Sequence, residues 1–446
     1  MTKIKIVLLF ILTASFFSCA KDEDLELTKI PDSEILKDQI VRIYGSLEGL
    51  QMPLENELTL IPSDPKNALT DEKVLLGKFL FHETGLGENP KKEIGRATYS
   101  CASCHQSKAG FQSGLKQGIG EGGIGFGSFG EARVISLDYL PSEIDVQPIR
   151  SPTILNTAYQ DVMLWNGQFG GVKTNLGTET NWTKGTPKEI NNLGFEGLET
   201  QAIAGIGVHR LKSLPEMMLN SAYKTYFDAA FPNVVISERY TEHYAGLAIA
   251  AYERTILANQ APFQKWLQGE VNIMGPDELK GAQIFFGKGK CFQCHNGPGL
   301  NGMEFHALGM NDFSETDVHQ EIDAATKKGR GGFTNNPSDD YKFKTATLYN
   351  LKGIKFLGHG GSFASIQEVI KYKNEGIVEN FEMNEVNLSP LFVPLGLNEI
   401  EIQQLTAFVE NSLYDPNLER YVPEILPTGN CFPNADIQSK EDMGCN

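Results

Sequence analysis

The sequence predicts a mainly α-helical protein made of two similar halves packed together, and three observations carry that expectation. The pentapeptide Cys-x-x-Cys-His occurs twice, at 101–105 and at 291–295. Each copy follows a segment of helical apolar spacing that ends in an aromatic cluster, Phe79-Leu80-Phe81 in one half and Ile284-Phe285-Phe286 in the other. Period-two alternation, the mark of half-buried strands, is scarce.

The elements follow in chain order. Residues 1–18 read as an export signal, because Lys3 and Lys5 precede an apolar run, Ile6 to Leu12, that is too short to span a bilayer. The stretch "TASFFSCAKDED" resembles a bacterial lipoprotein cleavage site with Cys19 as the lipidated first residue, although Phe16 is a loose fit. The acids Asp22 to Asp24 resemble a surface-export signal. The expected location is therefore the cell envelope, in the periplasm or on a membrane through a lipid anchor at Cys19. Residues 19–69 read as an extended lead-in with one amphipathic helix within 31–50. From Thr70, "TDEKVLLGKFLFHE" has an N-cap threonine and first-turn acids. "GPDELKGAQIFFGKGKC" repeats the pattern with Pro276 at the first helical position. We read this as an internal duplication, with an N-terminal domain at 70–262, a C-terminal domain at 263–425 and a tail at 426–446. Further helices are expected over 241–257 and 398–413. "GFGSFG" (125–130) has the spacing of a dinucleotide fingerprint, but no strand precedes it and a tightly turned or mobile loop is expected.

The chain has 446 residues, 41% hydrophobic and 21% charged, as in ordinary soluble domains. Its formal charge of -17 argues against nucleic acid as a partner and suits a basic protein partner. The seven cysteines divide without remainder. Cys19 is the lipidation site, four belong to the repeated motif, and Cys431 with Cys445 forms a disulfide in an exported chain.

Cys-x-x-Cys-His has one specific use, covalent attachment of a c-type haem: the thiols bond the haem vinyl groups and the imidazole binds the iron. A zinc knuckle would need a fourth ligand, and a thioredoxin-like pair a βαβ context. Two copies predict two covalently bound c-type haems, at Cys101, Cys104 and His105 and at Cys291, Cys294 and His295, each domain being cytochrome c-like. Between Gln106 and Val208 there is no histidine and one methionine, Met163, so the first haem lacks an obvious distal ligand. The second half offers Met303, Met310, Tyr372 and Met383. This asymmetry predicts one catalytic haem and one that holds electrons.

With "RSPTILNTAYQDVMLWNGQFG" (150–170), "LETQAIAG" (198–205), "AYERTIL" (251–257), "CFQCHNGPGL" (291–300) and "FKTATLYNLKGIKFLGHGGSFASIQEVIKY" (343–372), the chain resembles the bacterial dihaem cytochrome c peroxidase family, including its methylamine-utilisation branch, over roughly 75–413. The resemblance implies an enzyme that reduces hydrogen peroxide with electrons from a small cytochrome or cupredoxin, delivered through the second haem. It implies Trp165 between the haems and Gln201 beside the peroxide pocket. Where the family has a glutamate about ten residues after that glutamine, this sequence has Leu211, and we expect His209, assisted by Arg210, to take over as acid/base. The family's distal histidine before "RSPT" is missing, so the first haem is expected to be open at rest. Tyr372 is the expected sixth ligand of the second haem, with Met383 as the alternative. The family's calcium site normally includes an asparagine near Arg150–Ser151; its absence leaves Asn156 as a substitute. A homodimer is expected by resemblance. Two other functions stay open: an oxidase of a protein or metabolite acting through a long-lived high-valent state, and a non-enzymatic electron-transfer or redox-sensing cytochrome.

Overall fold

Thr70 starts the first long helix as its side chain dictates. Its hydroxyl accepts the Lys73 amide at 3.3 Å and α2 runs Asp71–His82. The computed structural model describes residues 31–212, 223–314, 318–320, 322–383 and 387–445; the export signal and Cys19 lie outside them. The main helices are α1 (Asp32–Tyr44), α2, α3 (Gly197–Val208), α4 (Tyr223–Ala230), α5 (Glu242–Thr255), α6 (Pro262–Leu267), α7 (Pro276–Phe285), α8 (Ile366–Glu375), α9 (Glu399–Ala407) and α10 (Ile437–Met443). Pro276 is the first residue of α7. Asn398 caps α9 through the amides of Ile400 and Glu401, both at 3.0 Å, and α9 ends in a π-turn at Phe408–Ser412. Among the described residues, sheet is confined to two antiparallel pairs of two-residue strands, β1 (Gly123–Ile124) with β2 (Val134–Ile135) and β3 (Phe305–His306) with β4 (Phe343–Lys344). Mainly α is the observed class.

One packing device occurs twice. Gly77 of α2 lies against α5 so closely that a Cβ there would sit 1.9 Å from the Ala248 carbonyl oxygen. Gly281 of α7 makes the same approach to α9, with a Cβ 2.0 Å from the Gln404 carbonyl oxygen. Only glycine permits either crossing. Each glycine is followed four residues later by a fully buried phenylalanine, Phe81 or Phe285, so the aromatic clusters read from the sequence are the inward faces of these crossings. One apolar core runs continuously through residues of both halves.

From Asp32 onward the lead-in is tied down. Leu36 and Ile40 of α1 are fully buried, and Ser33 accepts the Trp266 indole N–H at 3.0 Å. The Met52 amide donates to Gln264 at 2.8 Å, and the Pro62 carbonyl accepts from Arg254 at 3.0 Å. A sequence window shows only the polarity of such a segment, not the apolar groove it fills. The glycine loop is tightly turned: Arg133 is buried inside it, bonded to the carbonyls of Ile119 and Gly120 at 2.8 Å and to Asp436 of the tail at 3.1 Å. The predicted Cys431–Cys445 disulfide is present. Among the described residues no helix is long and apolar enough to cross a membrane.

Candidate functional site

Each Cys-x-x-Cys-His segment forms a short 3-10 turn at the wall of its own cavity. All four thiols are unpaired. Burial pushes each thiol's pKa up, to about 12 for Cys104 and Cys291, so they stay protonated rather than acting as thiolate ligands. Among the described residues no three His, Cys, Asp or Glu side chains converge as a metal cluster, which removes the zinc-knuckle reading. The imidazoles are arranged alike. His105 Nδ1 lies 3.1 Å from the Phe111 carbonyl, and His295 Nδ1 lies 3.0 Å from that of Ala346. Burial pushes both pKa values to about 4, so each ring is neutral, donates from Nδ1 and leaves Nε2 as the acceptor.

The first cavity holds about 360 Å³. Cys101, Cys104 and His105 form one part of its wall and Gln201, Gly205 and His209, from α3 and its C-terminal end, another. His209 Nδ1 is 3.0 Å from the Asp145 carboxylate, which also lines the cavity. A Cβ on residue 120 would meet that carboxylate at 2.5 Å, so Gly120 makes room for it. Burial alone would depress the His209 pKa, but the Asp145 charge and hydrogen bond outweigh it and hold the imidazole above its ordinary value. Arg210 does not reach the cavity. It sits at φ 56 and turns away to pair with the fully buried Glu121 and to donate to the Glu143 carbonyl at 2.6 Å. The pair that the geometry assembles at the cavity is thus His209 with Asp145, and the expected partner Arg210 is engaged elsewhere. Sequence reasoning missed Asp145 because 64 residues separate the two. Besides His105, the potential iron-binding side chains in this lining are His209 and Met163.

The tail seals the first attachment turn. Ser100 and Ser103 donate to the Pro433 carbonyl at 2.9 and 3.2 Å, Thr84 to that of Cys431 at 3.0 Å, and the Ala435 amide to that of Thr98 at 3.0 Å.

The second cavity, about 440 Å³, is lined by Cys291, Cys294 and His295 together with Met310 and Met383. Tyr372 is not in its lining. The phenol donates to the Leu308 carbonyl at 2.6 Å and packs between Phe363 and Phe392, while the neighbouring Lys373 faces the cavity. Helix α8 therefore turns position 373, not 372, toward the space. Asn156 is fully buried and its amide oxygen accepts the Ala258 amide at 2.9 Å, so that oxygen is already committed within the protein.

The two cavities differ in charge. Among the described residues, Arg150, Lys288, Lys290, Lys344 and Lys373 line the second and no carboxylate does; Asp145 and Glu253 line the first and no lysine or arginine does. Two of these cations are buried and, among the described residues, form no ion pair with a carboxylate, although Asp161 acts on Lys344 from a distance. Arg150 bonds the Leu115 carbonyl at 2.7 Å and Gln112 at 2.9 Å, and burial lowers its pKa to about 10. Lys344 bonds the Val162 carbonyl at 2.8 Å, and burial lowers its pKa to about 7. Trp165 lines both cavities, with Pro152, Met163, Leu164 and Phe343. Its indole N–H donates to the Arg150 carbonyl at 2.8 Å, and its own carbonyl accepts the Lys344 amide at 2.8 Å.

Comparison with known proteins places this arrangement. Residues 71–272 match the family described as di-haem cytochrome c peroxidase. A cytochrome-c peroxidase of Denitromonas iodatirespirans is 29% identical over 81% of this chain and 86% of its own. The methylamine utilization protein MauG of Methylorubrum extorquens is 26% identical over 80% and 82%, and the cytochrome c551 peroxidase of Nitrosomonas europaea is 26% identical over 84% and 90%. A crystal structure of a MauG-like protein associated with microbial copper homeostasis shares the fold, with a TM-score of 0.56 and 22% identity over 82% of this chain and 94% of that one.

Proposed function

We propose that this chain, similar to the di-haem cytochrome c peroxidases over residues 71–272 and to whole enzymes of that name, is an oxidoreductase of that kind and reduces hydrogen peroxide to water with electrons from a small cytochrome or cupredoxin. The two haems that the family implies fit the residues present. Each Cys-x-x-Cys-His turn opens on a cavity in the size range of ligand sites. Arg150 and Lys344, buried without anionic partners, suit the propionates of a haem in the second cavity. Once bound through Cys101 and Cys104 and through Cys291 and Cys294, the haems would supply irons that exchange single electrons.

The chain's own residues do the rest. His105 and His295 present neutral Nε2 atoms, each fixed by a carbonyl at Nδ1. Gln201 and His209 line the first cavity, where Gln201 orients peroxide and His209 moves a proton at Nε2 while Asp145 holds Nδ1. Trp165 lies on the path between the cavities. Met383, with Met310 beside it in the same lining, is the residue that would bind the second iron in place of Tyr372.

The single observation that carries this reading is the opposite charge of two cavities joined by one tryptophan. Cations around the second favour holding an electron there; carboxylates around the first favour the oxidised state that peroxide produces. The test is to add one equivalent of hydrogen peroxide to the purified dihaem protein, then a reduced small cytochrome, and to follow the spectra. Fast, repeated oxidation of the cytochrome supports the peroxidase. A lasting oxidised state indifferent to the cytochrome rejects it in favour of an oxidase of a protein or metabolite. We also propose export and lipid anchoring at Cys19, checked by labelled fatty-acid incorporation that Cys19→Ser abolishes.

A further inference from the structure

Glu253 lies near the C-terminal end of α5 with Ile249 one turn before it, and both side chains line the first cavity. Glu253 is 4% exposed and its Oε2 has no hydrogen-bond partner. The neighbouring charges are already used. Arg254, the next residue, is fully buried and bonded to Glu199 at 2.7 Å and Glu196 at 3.0 Å. Asp145 is engaged by His209, and no lysine or arginine among the described residues lines the space. A buried carboxylate with an oxygen left without a donor and no cation bonded to it is disfavoured, so this carboxyl favours its acid form unless positive charge is placed beside it.

We propose that Glu253 is the proton store of the first haem site: it takes one proton from solvent when one electron arrives there and releases it when that electron leaves. The proposal rests on a haem occupying the first cavity, as argued above. The step balances. The electron comes from the donor protein, or from a chemical titrant in the test; the Glu253 carboxylate gains the proton, and no other bond changes. The cavity keeps the same net charge in both states, and each electron delivered brings one of the two protons that reduction of peroxide to two waters consumes.

Burial first, and repulsion from Glu199 second, push the Glu253 pKa up to about 8, against the opposing charge of Arg254. An acid with its pKa there changes protonation when the charge beside it changes. The other titratable groups facing it are Cys101, whose sulfur no longer titrates once it bonds a haem vinyl group, and Tyr252 on its own helix, which burial keeps protonated.

The test is redox titration of the purified dihaem protein across neutral to mildly alkaline pH, in wild type, Glu253→Gln and Glu253→Asp. Haem content is counted by the pyridine haemochrome assay, so that failure to load haem is read separately from failure of the proposal. In wild type the first-haem potential should fall by about 59 mV per tenfold drop in proton concentration, one proton per electron. Glu253→Gln should flatten that slope and Glu253→Asp keep it. A flat wild-type slope, or an unchanged slope in Glu253→Gln, overturns the proposal and assigns any coupling to the His209–Asp145 pair or to a propionate. If the glutamine variant fails to load haem, reduced-minus-oxidised infrared spectra of wild type decide: a carboxylic-acid carbonyl band that does not respond to reduction overturns it.

Discussion

Trp165 donates its indole N–H to the backbone carbonyl of Arg150 at 2.8 Å, which ties a ring lining both cavities to the backbone of the cation lining one of them. The ring is further fixed edge-on to His359, 6.4 Å away, and His359 stacks on Phe343 at 3.7 Å. A ring so held is a pre-oriented bridge. Trp165→Phe keeps an aromatic ring but loses the indole and its anchor. Re-reduction of the peroxide-treated protein by a reduced cytochrome should slow about tenfold, ~1.4 kcal/mol in the barrier, with the initial peroxide reaction unaltered. Stopped-flow spectra separate the two phases, and equal slowing of both would reject the bridge.

The His209–Asp145 pair sets a pH dependence. The His209 pKa is raised, so the ion pair stabilises the fold below the unfolded-state pKa, and that contribution is lost as pH rises through the folded value. Asp145→Asn removes the carboxylate charge and leaves burial and the Arg210 charge, both of which lower the His209 pKa, so the titration seen in the peroxide reaction should move to lower pH. His209→Ala should slow that reaction by about 100-fold, the lower end of acid/base contributions. A pH profile unmoved by Asp145→Asn would exclude the pair from the chemistry.

Arg210 should matter for stability instead. Its partner Glu121 is fully buried and also accepts the Lys91 and Lys92 amides at 2.6 and 3.1 Å. Arg210→Met leaves a buried carboxylate short of its cation, a loss on the order of 3 kcal/mol. Chemical denaturation should show the loss, and the peroxide reaction of the folded fraction should persist.

At the second haem, Tyr372→Phe should leave the spectrum and potential unchanged, because that hydroxyl serves the Leu308 carbonyl. Met383→Leu should alter both. The far-red methionine–iron band reports the outcome, and a spectrum altered by Tyr372→Phe alone would restore the tyrosine.

Removing the disulfide should loosen the tail. Its cysteines are 14 residues apart, and a loop of that size contributes about 3 kcal/mol. Cys431→Ser with Cys445→Ser should lower the melting temperature of the haem-loaded protein, measured by calorimetry, without changing haem content.

What the sequence made legible were groups whose chemistry is local. The attachment motifs, the Thr70 and Asn398 caps, Pro276 at a helix start and the two-cysteine tail are each written within a few residues. What it hid depends on chain reversal. Asp145 meets His209, and Asn434 meets Ser103, only after loops of no periodic pattern have folded back. Tyr372 and Lys373 show how fine the distinction is: adjacent residues on one helix point about 100° apart, so the correct helix still left the wrong one of the pair facing the cavity. Glu253 was hidden for another reason. Within "AYERTIL" it looks like one member of a charged pair, and only burial shows that its neighbour Arg254 belongs to others.

The tail that bonds Ser100, Ser103 and Thr98 also sets an order of assembly. The first attachment turn is translated some 330 residues before the segment that closes over it. Until Pro433 and Ala435 arrive, that turn lacks the partners that close one side of it, and Cys101 and Cys104 should be more accessible in that interval than in the finished fold. Closure then marks a finished molecule. A chain truncated at Thr428 should still acquire both haems, yet its first site should be cut far faster by added protease than that of the intact protein.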